Sequence, residues 1–141
     1  MVLVGLPASG KSSWAKQHGV AVISSDEMRF LLADDPTDQS IHVEVFAVVR
    51  DLLRRRLELK RPLTFIDATN STPRERRPYI KLAQMYGASV EAVYFNTPVE
   101  VCKARNAGRD RVVPDWAIDL VAERLVAPSV EEGFDAVSVL S

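Results

Sequence analysis

Five short apolar runs recur along the chain, at residues 1–4, 20–23, 63–66, 90–95 and 136–140, each the length of a buried strand. Between them the apolar positions fall three and four apart, which predicts helices over 11–17, 27–33, 41–59, 74–86, 99–106 and 115–126. Pro73, Pro98 and Pro114 stand where three of these begin, a position that tolerates proline because first-turn amides have no partner inside the helix. Short apolar strands alternating with helices predict an α/β fold with a central, mainly parallel five-stranded sheet flanked by helices. Two irregular stretches, 34–39 and 108–114, are expected to surround a site, since no run of Gly, Pro or Ser is long enough to act as a linker. With 141 residues, one domain over 1–141 is expected and two would be hard to fit.

Composition narrows the class. Hydrophobic residues at 47% and charged residues at 26% place the chain among globular proteins, away from disordered, collagenous or membrane sequences. No basic leader or long apolar run opens the chain, so a cytoplasmic protein without a membrane partner is expected. A formal net charge of -1 excludes a polycation that coats nucleic acid, so any such ligand must be held by local positive charge. The single cysteine, Cys102, rules out an internal disulfide and reads as a small buried apolar residue. Together with His18 and His42 it shows no zinc-ligand spacing.

The strongest chemical signal follows the first apolar run. Gly5-Leu6-Pro7-Ala8-Ser9-Gly10-Lys11-Ser12 matches G-x-x-x-x-G-K-[ST], with a strand pattern before it and a helix pattern after it. Glycines let backbone amides curl around phosphate oxygens, the helix start aims positive partial charge at the anion, and lysine reaches the terminal phosphates. Gly5, Ser9, Gly10, Lys11, Ser12 and Ser13 are therefore the candidate contacts to ATP, and Ser12 the candidate holder of Mg2+. This points to a P-loop NTPase fold with a short lid.

A phosphate loop serves motors, GTPases and kinases alike, so the other strand ends must decide. The second apolar run leads into Ser24-Ser25-Asp26-Glu27-Met28-Arg29, which puts Asp26 and Arg29 on one face of the next helix turn. At the shared carboxyl edge of a parallel sheet, a carboxylate can take a hydroxyl proton while an arginine steadies an anion. The same residues also fit a plain helix start, with Ser24 and Glu27 as a capping box. The third run ends in Asp67-Ala68-Thr69-Asn70, where Asp67 either sits near Mg2+ or braces a loop, and Asn70 either meets substrate or makes a turn. Lys103, Arg105, Arg109 and Arg111 cluster with no acidic partner in register, which suits a lid closing over a triphosphate; the alternative, helix-dipole complementarity at a helix C-terminus, suits Lys103 and Arg105 but explains Arg109 and Arg111 less well. The basic run from Arg50 to Arg61 reads as a solvated face. Arg74, Arg76 and Arg77 open a helix, where positive charge is unfavourable, and so point to an anion nearby.

Taken in order, these segments resemble the kinase module of polynucleotide 5'-hydroxyl kinases, especially the bacterial end-healing polynucleotide kinase-phosphatases. The likeness runs through Gly5 to Ser12, Ser25-Asp26, Asp34-Asp35 with Thr37-Asp38-Gln39-Ser40, Asp67-Ala68-Thr69-Asn70, Arg105-Asn106 and its following arginines, and Glu132-Gly133-Phe134. It implies Lys11 and Ser12 as phosphate and Mg2+ contacts, Asp26 as general base on a 5'-hydroxyl, and Arg29 as a contact to the adjacent phosphate. It further implies Arg105 at the nucleotide, Arg109 at the transferring phosphate with Arg111 as the competing choice, and Asp67 ordering the site; Asn70, Arg76 and Arg111 are further substrate-site candidates. The implied partners are ATP and a 5'-OH end of RNA or DNA, with companion phosphatase or ligase modules on other chains. Two other functions fit the same motifs: a small-molecule or nucleotide-sugar kinase of the zeta-toxin type, and a regulatory module that binds nucleotide without transferring phosphate.

Overall fold

The computed structural model describes residues 1–141 throughout. Strands β1 (Val2–Gly5), β2 (Ala21–Ser24), β3 (Thr64–Asp67), β4 (Glu91–Phe95) and β5 (Ala136–Leu140) form one sheet, parallel throughout, in the order β2-β3-β1-β4-β5. Helices α1 (Lys11–Gln17), α2 (Ser25–Ala33), α3 (His42–Glu58), α4 (Pro73–Met85), α5 (Val99–Ala107) and α6 (Asp115–Arg124) connect them. Each predicted element is present, with ends moved by no more than two residues. The element missing from the sequence reading is a short 3-10 helix at Val130–Glu132, three residues being too few to carry a period.

Successive strand residues point to opposite faces, and both faces of the central strands β1, β3 and β4 are covered, which is why those strands read as continuous apolar runs, whereas the edge strand β5 has no buried residue. Val2, Val4, Ile23, Ile66 and Ala92 pack with Val49 and Leu53 of α3 and Tyr79, Ile80 and Ala83 of α4. Leu3, Phe65, Val93 and Phe95 pack on the other face around Ala15 of α1, with Trp14 beside them. A third cluster, Leu6, Cys102 and Ile118, docks α5 and α6 beside the phosphate loop. Cys102 is fully enclosed there, as a small apolar residue should be. No helix is long and apolar enough to cross a membrane.

Chain direction places the site. From β1 the chain passes over β3 to reach β2, whereas the connections after β3 and β4 run toward the opposite side of the sheet. The loop after β1 therefore stands where the winding reverses, the place at which a parallel sheet opens a crevice beyond its carboxyl ends.

One predicted substrate contact is corrected here. Arg76 is 0% exposed, and its guanidinium forms a two-pronged pair with Glu132, Nε to Oε1 and Nη2 to Oε2, each 2.9 Å. Its Nη1 donates to the carbonyls of Asn70 at 2.8 Å and Val126 at 2.9 Å. The anion that a positive charge at this helix start demanded is Glu132, so Arg76 ties α4, the end of the β3 loop and the 3-10 helix together and cannot reach a substrate. Removing one partner of such a buried pair strands the other charge, at about 3–5 kcal/mol. Arg76→Ala is accordingly expected to lower the urea-unfolding free energy by that amount, and Arg76→Met with Glu132→Leu to recover much of it. A single variant as stable as the parent contradicts this role.

Candidate active site

The phosphate loop is shaped by close approach and positive backbone angles. A Cβ on Gly5 would lie 2.7 Å from Ser9 Oγ and 3.1 Å from Phe95 Cβ, so only glycine lets the loop curl back against β4. Gly10, at φ 103°, turns the chain into α1, and Ala8 also adopts a positive φ of 62°. No side chain caps α1, which leaves its first amides free to meet an anion. The loop is braced from outside: Thr97 Oγ1 donates to Ser9 O at 3.0 Å, and Gly5 N donates to Thr69 O at 3.1 Å.

Lys11 is buried, and its ammonium donates to Gly5 O at 3.0 Å and Leu6 O at 2.8 Å, folded onto the loop it belongs to. Burial pulls its pKa down from 10.5 to about 8, resisted by Asp67 and then Asp26 and reinforced by Arg109. The charges of Asp67, Asp26 and Arg109 all reach this one ammonium. A polyphosphate fits this surround of loop amides and lysine.

The pKa has two consequences of known sign. Between about 8 and 10.5 the unfolded chain keeps a proton that folded Lys11 has shed, so the cost of its buried charge, full at lower pH, is relieved as pH rises. Phosphate binding needs the charged form, so ATP affinity is expected to fall as pH rises past about 8, with proton uptake on binding. Calorimetric titration at alkaline pH in two buffers of different ionisation enthalpy measures that uptake, which Lys11→Met should abolish. A pH-independent affinity with no proton uptake contradicts it.

Ser12 Oγ donates to Asp67 Oδ2 at 2.6 Å, joining the start of α1 to the end of β3. A hydroxyl and a carboxylate oxygen so close are the hard donors Mg2+ prefers, and that ion completes its shell with phosphates and water. Residues Ser12 and Asp67 therefore fit the metal.

Asp26 stands across the edge in the first turn of α2. Ser24 Oγ accepts from Glu27 N at 3.3 Å, so the helix cap is real and coexists with an available carboxylate. The Asp26 side chain is 48% exposed; its Oδ1 accepts from Arg29 Nη1 at 3.3 Å and its Oδ2 from Arg111 Nη2 at 2.5 Å. Arg29 is only 5% exposed, and its Nε has no partner.

The loop between α5 and α6 is pinned by Asn106, whose side-chain amide exchanges two hydrogen bonds with the backbone of Val113, at 2.5 and 3.0 Å. From the last turn of α5 Arg105 reaches Ser9 O at 3.5 Å, and from the loop Arg111 reaches Asp26, while Arg109 keeps a buried Nη1 without a partner. The expectation of cations lacking acidic partners is corrected for two of the four: Lys103 pairs with Asp119 at 2.8 Å and Arg111 with Asp26. Asn70 is also corrected. It is buried at a positive φ of 46°, and its amide donates to Leu3 O at 2.7 Å, so it clasps β1 to the end of β3. Gly5, Ser9, Gly10, Lys11, Ser12, Asp26, Arg29, Asp67, Arg105, Arg109 and Arg111 gather at the edge; Ser13 is exposed on the first turn of α1. Thr97 and Glu132 were given no role by the sequence reading. Position after β4 pointed to the first, and the Ser129-x-x-Glu132 capping-box pattern to the second.

The strand order, the loop and the Ser12–Asp67 link define a nucleotide-binding domain of the P-loop class with the fold of the P-loop kinases. The chain belongs to the AAA domain family, whose pattern it matches over residues 1–128. It is similar to the bifunctional polynucleotide phosphatase/kinase of Schizosaccharomyces pombe, 24% identical over 141 residues, covering 95% of this chain and 31% of that protein. It is also similar to the L-seryl-tRNA(Sec) kinase of Methanococcus maripaludis, 25% identical over 144 residues, covering 96% of this chain and 55% of that one. The chain thus spans between about a third and a half of these two relatives. Among solved structures, a chain of the Pnkp1/Rnl/Hen1 RNA repair complex superposes with a TM-score of 0.76 at 24% identity, over 88% of this chain and 42% of that one. A gluconokinase from Sinorhizobium meliloti superposes with a TM-score of 0.63 at 18% identity, over 99% and 79%.

Proposed function

We propose that this protein transfers the γ-phosphoryl group of ATP to the 5'-hydroxyl end of an RNA or DNA strand. The observation that carries the reading is Asp26, a half-exposed carboxylate whose charge reaches Lys11 and which two arginines bracket. That grouping suits an acceptor whose hydroxyl lies next to an anion, as the first phosphodiester lies next to a 5'-hydroxyl. The likeness to a polynucleotide phosphatase/kinase and to a chain of an RNA repair complex supports the same acceptor.

The residues divide the work as follows. Loop amides and Lys11 hold the donor phosphates, and Arg105, against the loop at Ser9, flanks the nucleotide. Ser12 and Asp67 would hold Mg2+, which would supply positive charge to offset that of the donor phosphates. As Arg111 releases Asp26, the carboxylate accepts the acceptor's hydroxyl proton, the oxygen bonds the γ-phosphorus, and the bond to the β-phosphate breaks to leave ADP. Arg29 holds the neighbouring phosphate of the acceptor, and Arg109 meets the charge on the transferring group. The reading includes a single domain over 1–141, a cytoplasmic setting, and companion phosphatase or ligase activities on other chains.

A second reading, a small-molecule kinase, draws on the gluconokinase likeness, which covers most of both chains. The two separate in one assay with γ-labelled ATP, Mg2+ and four acceptors: a 5'-OH oligonucleotide, a nucleoside, gluconate and seryl-tRNA. Label is expected on the oligonucleotide's 5' end. Label only on another acceptor, or slow hydrolysis alone, overturns the proposal.

A further inference from the structure

Beside Asp26 lies a cavity of about 390 Å³, lined by Asp26, Glu27, Phe30, Leu31, Pro36 and Arg111. It is of pocket size, and it contains the carboxylate assigned to the acceptor's hydroxyl and Arg111, the arginine paired with that carboxylate. Positions 26, 27, 30 and 31 share one face of α2, so the charged groups stand at the start of the helix and an apolar wall lies one turn further along. Phe30 and Leu31 leave 52% and 69% of their surface exposed, too much for residues whose task is the core.

The far wall is preformed. Asp34 ends α2 in the left-handed region at φ 58°, and Asp35 Oδ1 accepts from Thr37 N at 2.9 Å and Thr37 Oγ1 at 2.7 Å. Asp38 Oδ1 holds Ser40 in the same way, at 2.8 and 2.6 Å. Pro36 is thus carried on a loop tied on both sides. An acceptor with its hydroxyl at Asp26 and its anion between Arg29 and Arg111 must lay the rest of itself against Phe30, Leu31 and Pro36. A polyhydroxy chain there leaves hydroxyls facing carbon, a poor exchange for water. A flat heteroaromatic ring covers the same wall without loss.

We propose that Phe30, with Leu31 and Pro36, forms the shelf on which the base of the acceptor's terminal nucleotide rests, making Phe30 a specificity-determining residue for nucleotide ends. The inference rests on the function proposed above and adds where the base lies. Stacking of a base on an aromatic side chain contributes about 1–3 kcal/mol, equivalent to about a five- to 150-fold change in affinity.

Steady-state transfer to a 5'-OH oligonucleotide tests this. Phe30→Ala is expected to raise the acceptor KM by about five- to 150-fold while the ATP Kd stays within about twofold, and Phe30→Trp to restore the KM. 2-Aminopurine at the 5'-terminal position should be quenched on binding to the parent and to Phe30→Trp, but not to Phe30→Ala. If the parent labels oligonucleotides and Phe30→Ala leaves both KM and quenching unchanged, the shelf is wrong and the kinase reading stands. If the parent labels only gluconate or another polyhydroxy acceptor, both fall together.

Discussion

Asp26→Asn is expected to lower the single-turnover rate of phosphoryl transfer by about a hundredfold to ten-thousandfold, the range of a general base, while ATP binds within a few-fold of the parent. The substitution keeps the shape of the side chain and an oxygen for Arg29, but removes the charge and the site that takes the proton. Its amide nitrogen also faces the Arg111 guanidinium that the carboxylate now holds at 2.5 Å, so that contact is lost as well. Lys11, Ser12 and the loop amides are untouched, which is why donor affinity should survive. Rapid-quench transfer and equilibrium ATP binding separate the two effects. Transfer near the parent rate would remove Asp26 from the chemistry and reduce this edge of the sheet to a helix start.

The second large effect is expected at the lid. Arg109→Ala should cost about a thousandfold or more in kcat, as loss of an arginine at the transferring phosphate does elsewhere. The reason for choosing Arg109 over Arg111 is electrostatic and local. Arg109 carries a buried nitrogen with no partner, and its charge reaches Lys11, whereas Arg111 is already engaged by Asp26 on the acceptor side. A buried donor without an acceptor is unfavourable, and an incoming phosphate oxygen relieves it. Arg111→Ala should therefore act mainly on the acceptor KM. Should Arg111→Ala damage kcat more than Arg109→Ala does, the two roles exchange.

Much of this could be read from the chain because each signal was local. The three central strands are apolar runs buried on both faces, and four of the six helices carry a proline, Ser24 or Thr72 start. The phosphate loop announces itself because Gly5 and Gly10 meet geometric demands that few other residues satisfy. What escaped was long-range. Arg76 looked like a substrate contact because its partner, Glu132, lies 56 residues away on a helix of three residues. Asn70 looked like an active-site amide because nothing nearby in sequence reveals that it bonds Leu3 across the sheet. Lys103 and Arg111 appeared unpaired for the same reason, as Asp119 and Asp26 reach them only once the fold is made. Charges near a helix end are legible as charges; their partners are a property of the tertiary structure.

The most direct measurement is the position of the acceptor itself, in a crystal structure with Mg2+, a non-hydrolysable ATP analogue and a short 5'-OH oligonucleotide. Transfer at this edge requires the 5'-oxygen within hydrogen-bond reach of the Asp26 carboxylate, about 3 Å, and in line with the γ-phosphorus, with Arg111 withdrawn from Asp26. An oligonucleotide bound elsewhere, with Asp26 still closed by Arg111, contradicts the account at its centre.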